Sequence, residues 1–434
     1  MTTKINNEHK KLNVPNKQEQ NQTCLDSAER EGLRPKGNVP NLRFKEFEGE
    51  WKEERLADIA DLYKGTGISK DQLSDDGEPC ILYGELYTKY KSETIREVIS
   101  KTNINNTKLV RSKANDVIIP CSGETAEDIA TARCVLNGNI LLGGDLNIIR
   151  LHGYDGAFMS YQLNGRRKYD IAKVAQGVSV VHLYGEHLKG VKTINPCLEE
   201  QKKIAKLLSL LDERIATQNK IIDKLQSLIK GLNDSLYVQY GNEVKTSFTN
   251  LGTSYSGLSG KSAQDFGSGK PFITYLNVYS NNAINENDFQ YVAIKDGEKQ
   301  NIVEYGDVLF TLSSETPEEV GIGSVYLGKE KVYLNSFCFG IHITNTKVAF
   351  PPYLSYYVSS TPFRKFIYPY AQGSTRFNLC KADFEKASIK LPSLESQKRI
   401  YSILKSIASK IETEKNLLGL YYTQKQYLLR QMFI

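Results

Sequence analysis

The motifs of this chain that could perform chemistry are few, and none completes a catalytic site. Adenine methylation uses an Asn/Asp-Pro-Pro-aromatic motif that holds a flipped base. Phe350-Pro-Pro-Tyr353 lacks the leading amide or carboxylate and is better interpreted as a turn before a helix. Lys64-Gly-Thr-Gly67 is too short to cradle a phosphate, and the sequence has no Gly-x-x-x-x-Gly-Lys-Ser/Thr motif. The sequence therefore indicates neither a methyltransferase nor a nucleotide-driven motor.

Acidic pairs and histidines give equally little support for metal-dependent cleavage. Glu127-Asp128 and Glu318-Glu319 occupy equivalent positions in two halves of the chain, where a metal pair is conceivable but solvated loop carboxylates are the simpler interpretation. Glu8-His-Lys10 has a superficially suitable spacing but lies in a polar N-terminal segment. The five histidines form no HxxH or HExxH group. No catalytic or metal-binding residue is predicted.

Composition predicts a soluble protein of two or more domains. Its 434 residues, of which 40% are hydrophobic and 24% charged, are too many for one ordinary core. No apolar run approaches the ~20 residues of a membrane span, and the N-terminus lacks the apolar core of a signal peptide, so we expect a cytoplasmic protein. The seven cysteines include no CxxC pair and are predicted to be reduced. A net charge of +6 is compatible with nucleic-acid binding without being diagnostic of it.

The element that must position any functional surface is a long helix that begins near Pro196. Apolar residues recur in steps of four and three from Ile204 to Leu236, with one polar interruption at Gln218. This heptad pattern is typical of a coiled coil. Because such a helix would leave one apolar stripe in water, it requires a partner helix.

A second copy of this helix occurs 196 residues later, from Pro392. Gln201–Ile204 matches Gln397–Ile400, and the polar interruption recurs as Glu414. The second seam also carries Lys425. Matching starts, register and interruptions indicate a duplicated gene segment.

The segments before and after the first helix share a skeleton as well. Three anchor motifs recur in both: Pro79–Tyr83 with Pro271–Tyr275, Asp116–Thr125 with Asp307–Thr316, and Ala175–Gly177 with Ala371–Gly373. The residues between the anchors differ strongly. Duplicated scaffolds that carry different side chains are expected to bind different targets.

Each segment is predicted to be a mostly β, α+β domain. Short β-branched and aromatic runs alternate with turn signals such as Asn137-Gly138, and short helices are expected near 157–174 and 352–367. The fold class is thus α+β, with two pseudo-twofold-related domains separated by an antiparallel two-helix coiled coil. The predicted limits are 1–38 for a disordered polar tail, 39–195 for domain 1, 196–243 for a central helix, 244–391 for domain 2 and 392–434 for a distal helix.

The helix starts PCLEEQKKIAKLL and PSLESQKRIYSIL resemble the conserved regions of type I restriction–modification specificity subunits. The order of variable domain, conserved helix, variable domain and conserved helix is similar to that family from about residue 40 onward. The resemblance implies two target-recognition domains that read an asymmetric bipartite DNA sequence through the major groove. It also implies a chain that performs no chemistry itself.

The partners follow from the same resemblance. Two adenine-N6 methyltransferase subunits and ATP-dependent restriction–translocase subunits would assemble on this chain. No cofactor is expected in the chain itself; S-adenosylmethionine, ATP and Mg²⁺ would belong to the partner subunits. No membrane partner is expected.

Candidate DNA-binding residues lie in the basic clusters, in the divergent segments after each Ala-Gln-Gly and in two Gly-rich loops, Lys64–Lys70 and Gly257–Lys270. Arg and Lys suit phosphates, Arg suits guanine, and Asn and Gln suit adenine. The candidates of the first half are Lys70, Arg166, Arg167, Lys168, Gln176, Ser179, His182 and Tyr184. Those of the second half are Lys261, Lys270, Arg364, Lys365, Gln372, Thr375, Arg376 and Asn378. For the basic clusters, a solvated helix face is an equally open interpretation.

Two other functional classes stay open at this stage. A coiled-coil adaptor that binds proteins would show no salt-dependent DNA binding. An enzyme that acts alone would methylate or cleave DNA as an isolated chain, although the methyltransferase motifs are absent from the sequence. If the leading interpretation holds, equivalent groove faces recur about every 34–36 Å, so a helix pair with a reader at each end would act as a ruler.

Overall fold

The computed structural model describes residues 37–105, 108–177 and 180–434. The predicted polar tail therefore lies outside the described residues except for its last two positions, and the candidate Ser179 lies outside them too. Two helices dominate the described chain. The central helix spans Leu198–Tyr240 and the distal helix spans Leu394–Gln431, so each begins two residues after the proline that signals its start.

The chain divides into two compact units, and each unit takes a part of both long helices. Unit 1 comprises the chain up to Thr217 together with Gly419–Ile434, and unit 2 comprises Gln218–Leu418. A division at the helix ends is natural from sequence, because the apolar periodicity changes there. In the structure, each unit instead includes those segments of the two long helices whose apolar seam packs against the core of that unit.

Within its described residues, unit 1 contains two five-stranded sheets and two strand pairs. The first sheet has the order Ala60–Lys64, Leu146–Leu151, Asp116–Pro120, Arg133–Val135 and Thr94–Ile95. The second has the order Leu73–Ser74, Lys101–Thr102, Glu78–Ile81, Leu141–Leu142 and Val110–Arg111. The pairs are Lys52–Arg55 with Lys192–Asn195, and Ser122–Gly123 with Val181–His182.

Unit 2 repeats this plan with fewer strands. A four-stranded sheet has the order Gly252–Ser256, Cys338–Ile343, Val308–Thr311 and Gly323–Val325. The three-stranded sheets are Gln290–Val292, Phe266–Ile273 and Tyr333–Leu334, and Ser313–Ser314, Phe377–Leu379 and Ala371–Gln372. Val244–Thr246 pairs with Ile389–Leu391.

Short helices cover these sheets. In unit 1 they are Leu56–Ile59, Glu85–Thr88, Ala126–Ile129, Gly156–Asn164, Lys168–Val174 and Gly185–Lys189, with a 3₁₀ turn at Lys70–Gln72. In unit 2 they are Phe248–Leu251, Tyr275–Ser280, Pro351–Tyr357, Thr361–Ile367 and Lys381–Lys386, with 3₁₀ turns at Ala263–Asp265, Glu286–Asp288, Pro317–Glu319 and Tyr368–Tyr370. The helices expected near 157–174 and 352–367 are thus present, each as a pair of shorter helices. The two prolines of the Phe350–Tyr353 motif form the first turn of a buried helix, where their missing N–H groups cost nothing.

The core of each unit is continuous with the helix seam. In unit 1, Ile204 and Leu208 of the central helix and Met432, which directly follows the distal helix, pack with the buried side chains of the domain, including Phe158. In unit 2, Ile400 and Leu404 belong to the core. The apolar stripe of each long helix, which would be exposed to water in an isolated helix, is therefore buried by its own domain as well as by the partner helix.

Within each unit the two helix segments run antiparallel. In unit 1, Asp212 contacts Lys425 whereas Arg214 lies over the ring of Tyr421. In unit 2, the side chain of Gln218 donates hydrogen bonds to the carboxylate and carbonyl of Glu414. The two polar interruptions of the seam therefore meet, and each residue contacts its own counterpart in the sequence repeat.

A buried glutamine joins each long helix to its domain. The Gln201 amide donates to Pro196 O at 2.8 Å and accepts from Asp155 N at 2.9 Å. Gln397 donates to Val348 O and Pro392 O at 2.7 and 2.9 Å and accepts from Phe350 N at 2.8 Å. This use of both amide atoms explains why glutamine recurs in the two helix starts.

Replacing Gln397 with Ala is expected to lower the free energy of unfolding by about 2–4 kcal/mol, because buried backbone groups lose their partners. Urea denaturation measures the change. Replacing exposed Gln424 on the same helix is the control and should cost under about 0.5 kcal/mol. Equal losses for the two variants would contradict the assigned role of Gln397.

The fold is α+β, with mostly β domains and two long helices, as the sequence predicts. Across the described residues, no helix has the length and apolarity needed to cross a bilayer.

Candidate nucleic-acid interface

Residues that flank the divergent segment after each Ala-Gln-Gly motif pair with each other as in a hairpin. In unit 1, Gln176 and His182 exchange backbone hydrogen bonds at 2.7 and 2.8 Å. Gly177 has φ +125° and its missing Cβ would lie 2.1 Å from Val180 O, so another residue would clash. The glycine of the motif is therefore required by the hairpin itself.

Unit 2 builds the same hairpin with different side chains. Gln372 pairs with Asn378, and Gly373 has φ +140° with a Cβ position 2.1 Å from Arg376 O. Gln372, Thr375, Arg376 and Asn378 are all exposed. Four of the predicted readers of this half are thus brought together on one hairpin.

A row of backbone hydrogen bonds joins each hairpin to another turn, here called the second turn, which contains Phe337 in unit 2 and Asp145 in unit 1. In unit 2, Leu379 N donates to Leu312 O at 2.8 Å, and Leu312 N donates to Phe337 O at 2.9 Å. In unit 1 the same row runs from Leu183 through Cys121 to Asp145, at 2.9 and 2.7 Å. The sequence predictions did not include Asp145 or Phe337.

The Gly-rich loops pack against these second turns. A Cβ on Gly65 would lie 2.0 Å from Gly143 O, and a Cβ on Gly257 would lie 2.0 Å from Asn335 O. The close approach requires glycine in both loops. Hairpin, second turn and Gly-rich loop therefore form one continuous surface in each unit, here called the hairpin face.

The hairpin face of unit 1 is rich in aromatic and imidazole groups. The rings of His182 and Tyr184 are stacked with centroids 6.2 Å apart, and Tyr184 meets His187 edge-on at 5.5 Å. His182 Nδ1 lies 3.4 Å from Ser122 Oγ. Tyr87 donates to Ser122 O at 3.0 Å, and burial raises the pKa of its hydroxyl, so it stays a donor.

The hairpin face of unit 2 places tyrosines beside the arginine of the hairpin. Tyr275 donates to Ser313 O at 2.8 Å, and its ring is stacked on Tyr279 with centroids 6.0 Å apart. Burial raises the pKa of Tyr275, while the charge of nearby Arg376 opposes that rise. Tyr279 donates to Glu319 at 2.8 Å, and this bond, with one from Ser314, lowers the pKa of Glu319. Two hydrogen-bond donors therefore favour the anionic form of Glu319.

Two predicted DNA-binding residues of unit 2 contact groups of the protein itself. The guanidinium of Arg364 donates to the carbonyls of Gly321, Glu318 and Val320, each at 2.7 Å. Burial lowers the pKa of Arg364 to about 10. Lys261 is nearly buried and contacts Glu298 at 2.6 Å. These geometries favour loop-stabilising roles for Arg364 and Lys261.

Two further arginines of unit 1 face the end of the distal helix. Arg166 donates to Arg430 O at 2.6 Å, and Arg167 donates to Ile434 O at 3.3 Å and pairs with Asp170 at 3.4 Å. Two residues of a basic cluster predicted to bind phosphate thus join the domain to the C-terminal segment of the same unit. The spacing of the basic residues could not predict these contacts, because the carbonyls that accept the hydrogen bonds are more than 250 positions away in the sequence.

The remaining basic candidates lie at the surface. Lys70 opens a 3₁₀ turn in the first Gly-rich loop, and Lys270 lies on the strand Phe266–Ile273. Lys365 is exposed on the helix Thr361–Ile367, next to Arg364, while Lys168 is half-buried at the start of its helix. Lys168 and Lys365 stay predictions as phosphate contacts, and Lys70 and Lys270 stay predictions as DNA-binding residues of the Gly-rich loops.

The acidic pairs have no metal-binding geometry. Glu319 is engaged by Tyr279 and Ser314, and Asp128 accepts a hydrogen bond from Thr125 at 2.7 Å. Among residues 37–105, 108–177 and 180–434, no three His, Cys, Asp or Glu side chains are grouped to hold a metal ion.

Comparison with known proteins adds a family to this geometry. The family model described as the type I restriction modification DNA specificity domain matches residues 48–227 and 259–419. The MjaVIII specificity subunit of a type I restriction enzyme from Methanocaldococcus jannaschii is 27% identical over 202 residues, 45% of each chain. The match therefore spans less than half the length of that relative.

Two comparisons cover most of the chain. The provisionally named MjaX specificity subunit of the same organism is 24% identical over 431 residues, covering 87% of this chain and 91% of the relative. The crystal structure of an S subunit of a type I restriction–modification system from M. genitalium superposes with a TM-score of 0.55 at 15% identity, covering 91% and 99% of the two chains. The structural likeness supports the fold.

Proposed function

Because this chain belongs to the type I restriction–modification DNA specificity family, we propose that it reads a bipartite DNA sequence, one half-site through the hairpin face of each unit. Reading takes place in the major groove. The observation that carries the proposal is the equivalent backbone pairing after each Ala-Gln-Gly motif, of Gln176 with His182 and of Gln372 with Asn378, in segments whose side chains differ. A constant backbone with variable polar groups is what base recognition requires. Because the side chains differ, the two half-sites differ.

The chain acts as a scaffold and contributes no catalytic residue. Two adenine-N6 methyltransferase subunits bind it, and ATP-dependent restriction–translocase subunits join them. S-adenosylmethionine, ATP and Mg²⁺ belong to those partners. The family assignment and the duplicated helices, each of which carries the same buried glutamine, support two equivalent docking surfaces.

Spacing between the half-sites is set by the helix pair. The central helix continues through 43 residues without interruption, which is about 64 Å of helix. A continuous helix resists bending, so its length limits the distance between the DNA contacts that it joins. The bases between the half-sites are not read.

A heptad added to both helices tests this proposal. The insertions are placed after Gln218 in the central helix and before Glu414 in the distal helix, so that they face each other next to that contact. Each helix gains about 10 Å, the rise of about 3 bp, and we expect a longer spacer, by up to about 3 bp, between unchanged half-sites. Methylome sequencing of cells that carry the variant and the cognate methyltransferase gives the motif.

An insertion in one helix only is the control, because it breaks the register of the pair and should abolish methylation. A spacer that stays the same after the double insertion would refute the ruler. A motif that does not change when the domain of unit 2 is exchanged for that of a relative would refute recognition by this unit. The alternative of a protein-binding adaptor predicts this second result and no salt-dependent DNA binding.

A further inference from the structure

The second turn of unit 2 holds an aromatic ring in solvent. The side chain of Phe337 is 58% exposed. Its backbone nitrogen donates to Asn335 Oδ1 at 2.9 Å, and its carbonyl accepts from Leu312 N at 2.9 Å. Because the backbone is held on both sides of the ring, the exposure belongs to an ordered turn.

The ring lies within reach of the same half-site as the hairpin. Leu312 separates Phe337 from Leu379, and the next residue along, Ser313, pairs with Asn378. Two strand spacings are about 10 Å, which is the rise of about 3 bp of duplex. Phe337 and Asn378 can therefore meet base pairs of one half-site.

The equivalent position of unit 1 has opposite chemistry. Asp145 occupies it, with φ +57°, and accepts from Cys121 N through the same backbone carbonyl. The backbone bond is conserved between the two units while the side chain changes from acidic to aromatic. The hairpin positions vary in the same way. A carboxylate accepts a hydrogen bond from cytosine N4, whereas an apolar ring matches the C5 methyl group of thymine.

We propose that Phe337 determines specificity by contacting the C5 methyl group of one thymine in the half-site of unit 2. This inference rests on the proposed function. The ring replaces water at the methyl group, and the ordered turn means that little conformational entropy is lost on contact.

Deoxyuridine tests the contact, because it lacks only the methyl group of thymidine. Each thymidine of the mapped recognition sequence is replaced in turn, and methylation by the complete complex is measured at subsaturating DNA. One replacement in the half-site of unit 2 should slow wild-type methylation about fourfold, the effect of one buried methyl group. The Phe337→Ala variant should methylate the thymidine duplex and the deoxyuridine duplex at the same rate.

The control variant is Tyr305→Ala, which removes a ring of similar exposure, 59%, that precedes the strand Val308–Thr311 at the end away from Ser313. It should keep the fourfold difference. Phe337→Ala that keeps the fourfold difference, either at the wild-type rates or with both duplexes slowed by the same factor, overturns the proposal. Both results leave the proposed function standing, because the wild-type motif and its change on domain exchange are measured separately.

Discussion

Replacing Lys425 with Met is expected to lower the free energy of unfolding of unit 1 by about 3–5 kcal/mol. The ammonium group of Lys425 lies 2.6 Å from Glu93 and 2.7 Å from Asp212, and all three side chains are largely buried. Tyr161 and Ser92 complete the cluster by donating to Asp212 at 2.7 and 3.0 Å. Removal of the cation leaves two buried carboxylates without the ammonium group that both contact, because Arg133, whose charge also acts on them, donates its hydrogen bonds to the carbonyls of Tyr90 and Ala132.

The loss should depend on pH in a defined direction. Burial raises the pKa of Glu93 above its ordinary 4.5, and the charge of Lys425 opposes that rise, so the variant raises it further. A carboxyl whose pKa is higher in the folded state contributes most stability below 4.5 and loses it as the pH rises through the folded-state pKa. The difference between Lys425→Met and wild type should therefore be smallest below pH 4.5 and widen above it.

Two comparisons make the result specific. Lys415→Met removes an exposed lysine of the same helix and should change stability by less than about 0.5 kcal/mol. Combining Lys425→Met with Glu93→Gln and Asp212→Asn removes all three charges and should recover much of the loss. Repeat-equivalent positions in unit 2 carry Ile229 and Ala408, so the duplicated scaffold accommodates uncharged residues there. Denaturant unfolding that finds no recovery would show that packing, not charge, accounts for the loss.

Replacing Arg376 with Ala is expected to reduce discrimination at one base pair of one half-site by about 5- to 150-fold, the range of a bidentate arginine–guanine contact of about 1–3 kcal/mol. Arg376 is exposed on the hairpin of unit 2, between the paired Gln372 and Asn378. The assay is methylation by the complete complex of duplexes that carry each base at each position of the motif. The half-site of unit 1 should be read as before.

Lys365→Ala is the matched control, because it removes an exposed cation away from the hairpin. It should weaken binding to every DNA sequence by the same factor. It should also reduce, by about one, the slope of the logarithm of the binding constant against the logarithm of the salt concentration. If Arg376→Ala also weakened all sequences alike, Arg376 would be a phosphate contact and the base-reading assignment would be wrong.

The long helices and the duplication were predictable from sequence because they depend on local periodicity. Seam positions must repeat every 3.5 residues, and the positions from Ile204 to Leu236 and from Ile400 to Met432 are buried or half-buried in the structure. The polar residues at Gln218 and Glu414 interrupt the pattern at the same offset in both copies, which supported the duplication. The Ala-Gln-Gly motif was likewise readable, since its glycine supplies a backbone conformation that other residues rarely adopt.

The roles of individual charged residues were decided by tertiary structure. Arg364 looked like a phosphate contact, but its guanidinium is occupied by carbonyls more than 40 positions away. Lys425 looked like a defect of the seam until Glu93, 332 positions away, was placed beside it. Phe337 was indistinguishable from a core aromatic because the turn that exposes it depends on hydrogen bonds to Asn335 and Leu312. A sequence states periodicity directly, whereas the partner of a charge and the exposure of a ring depend on which distant segments the fold brings together.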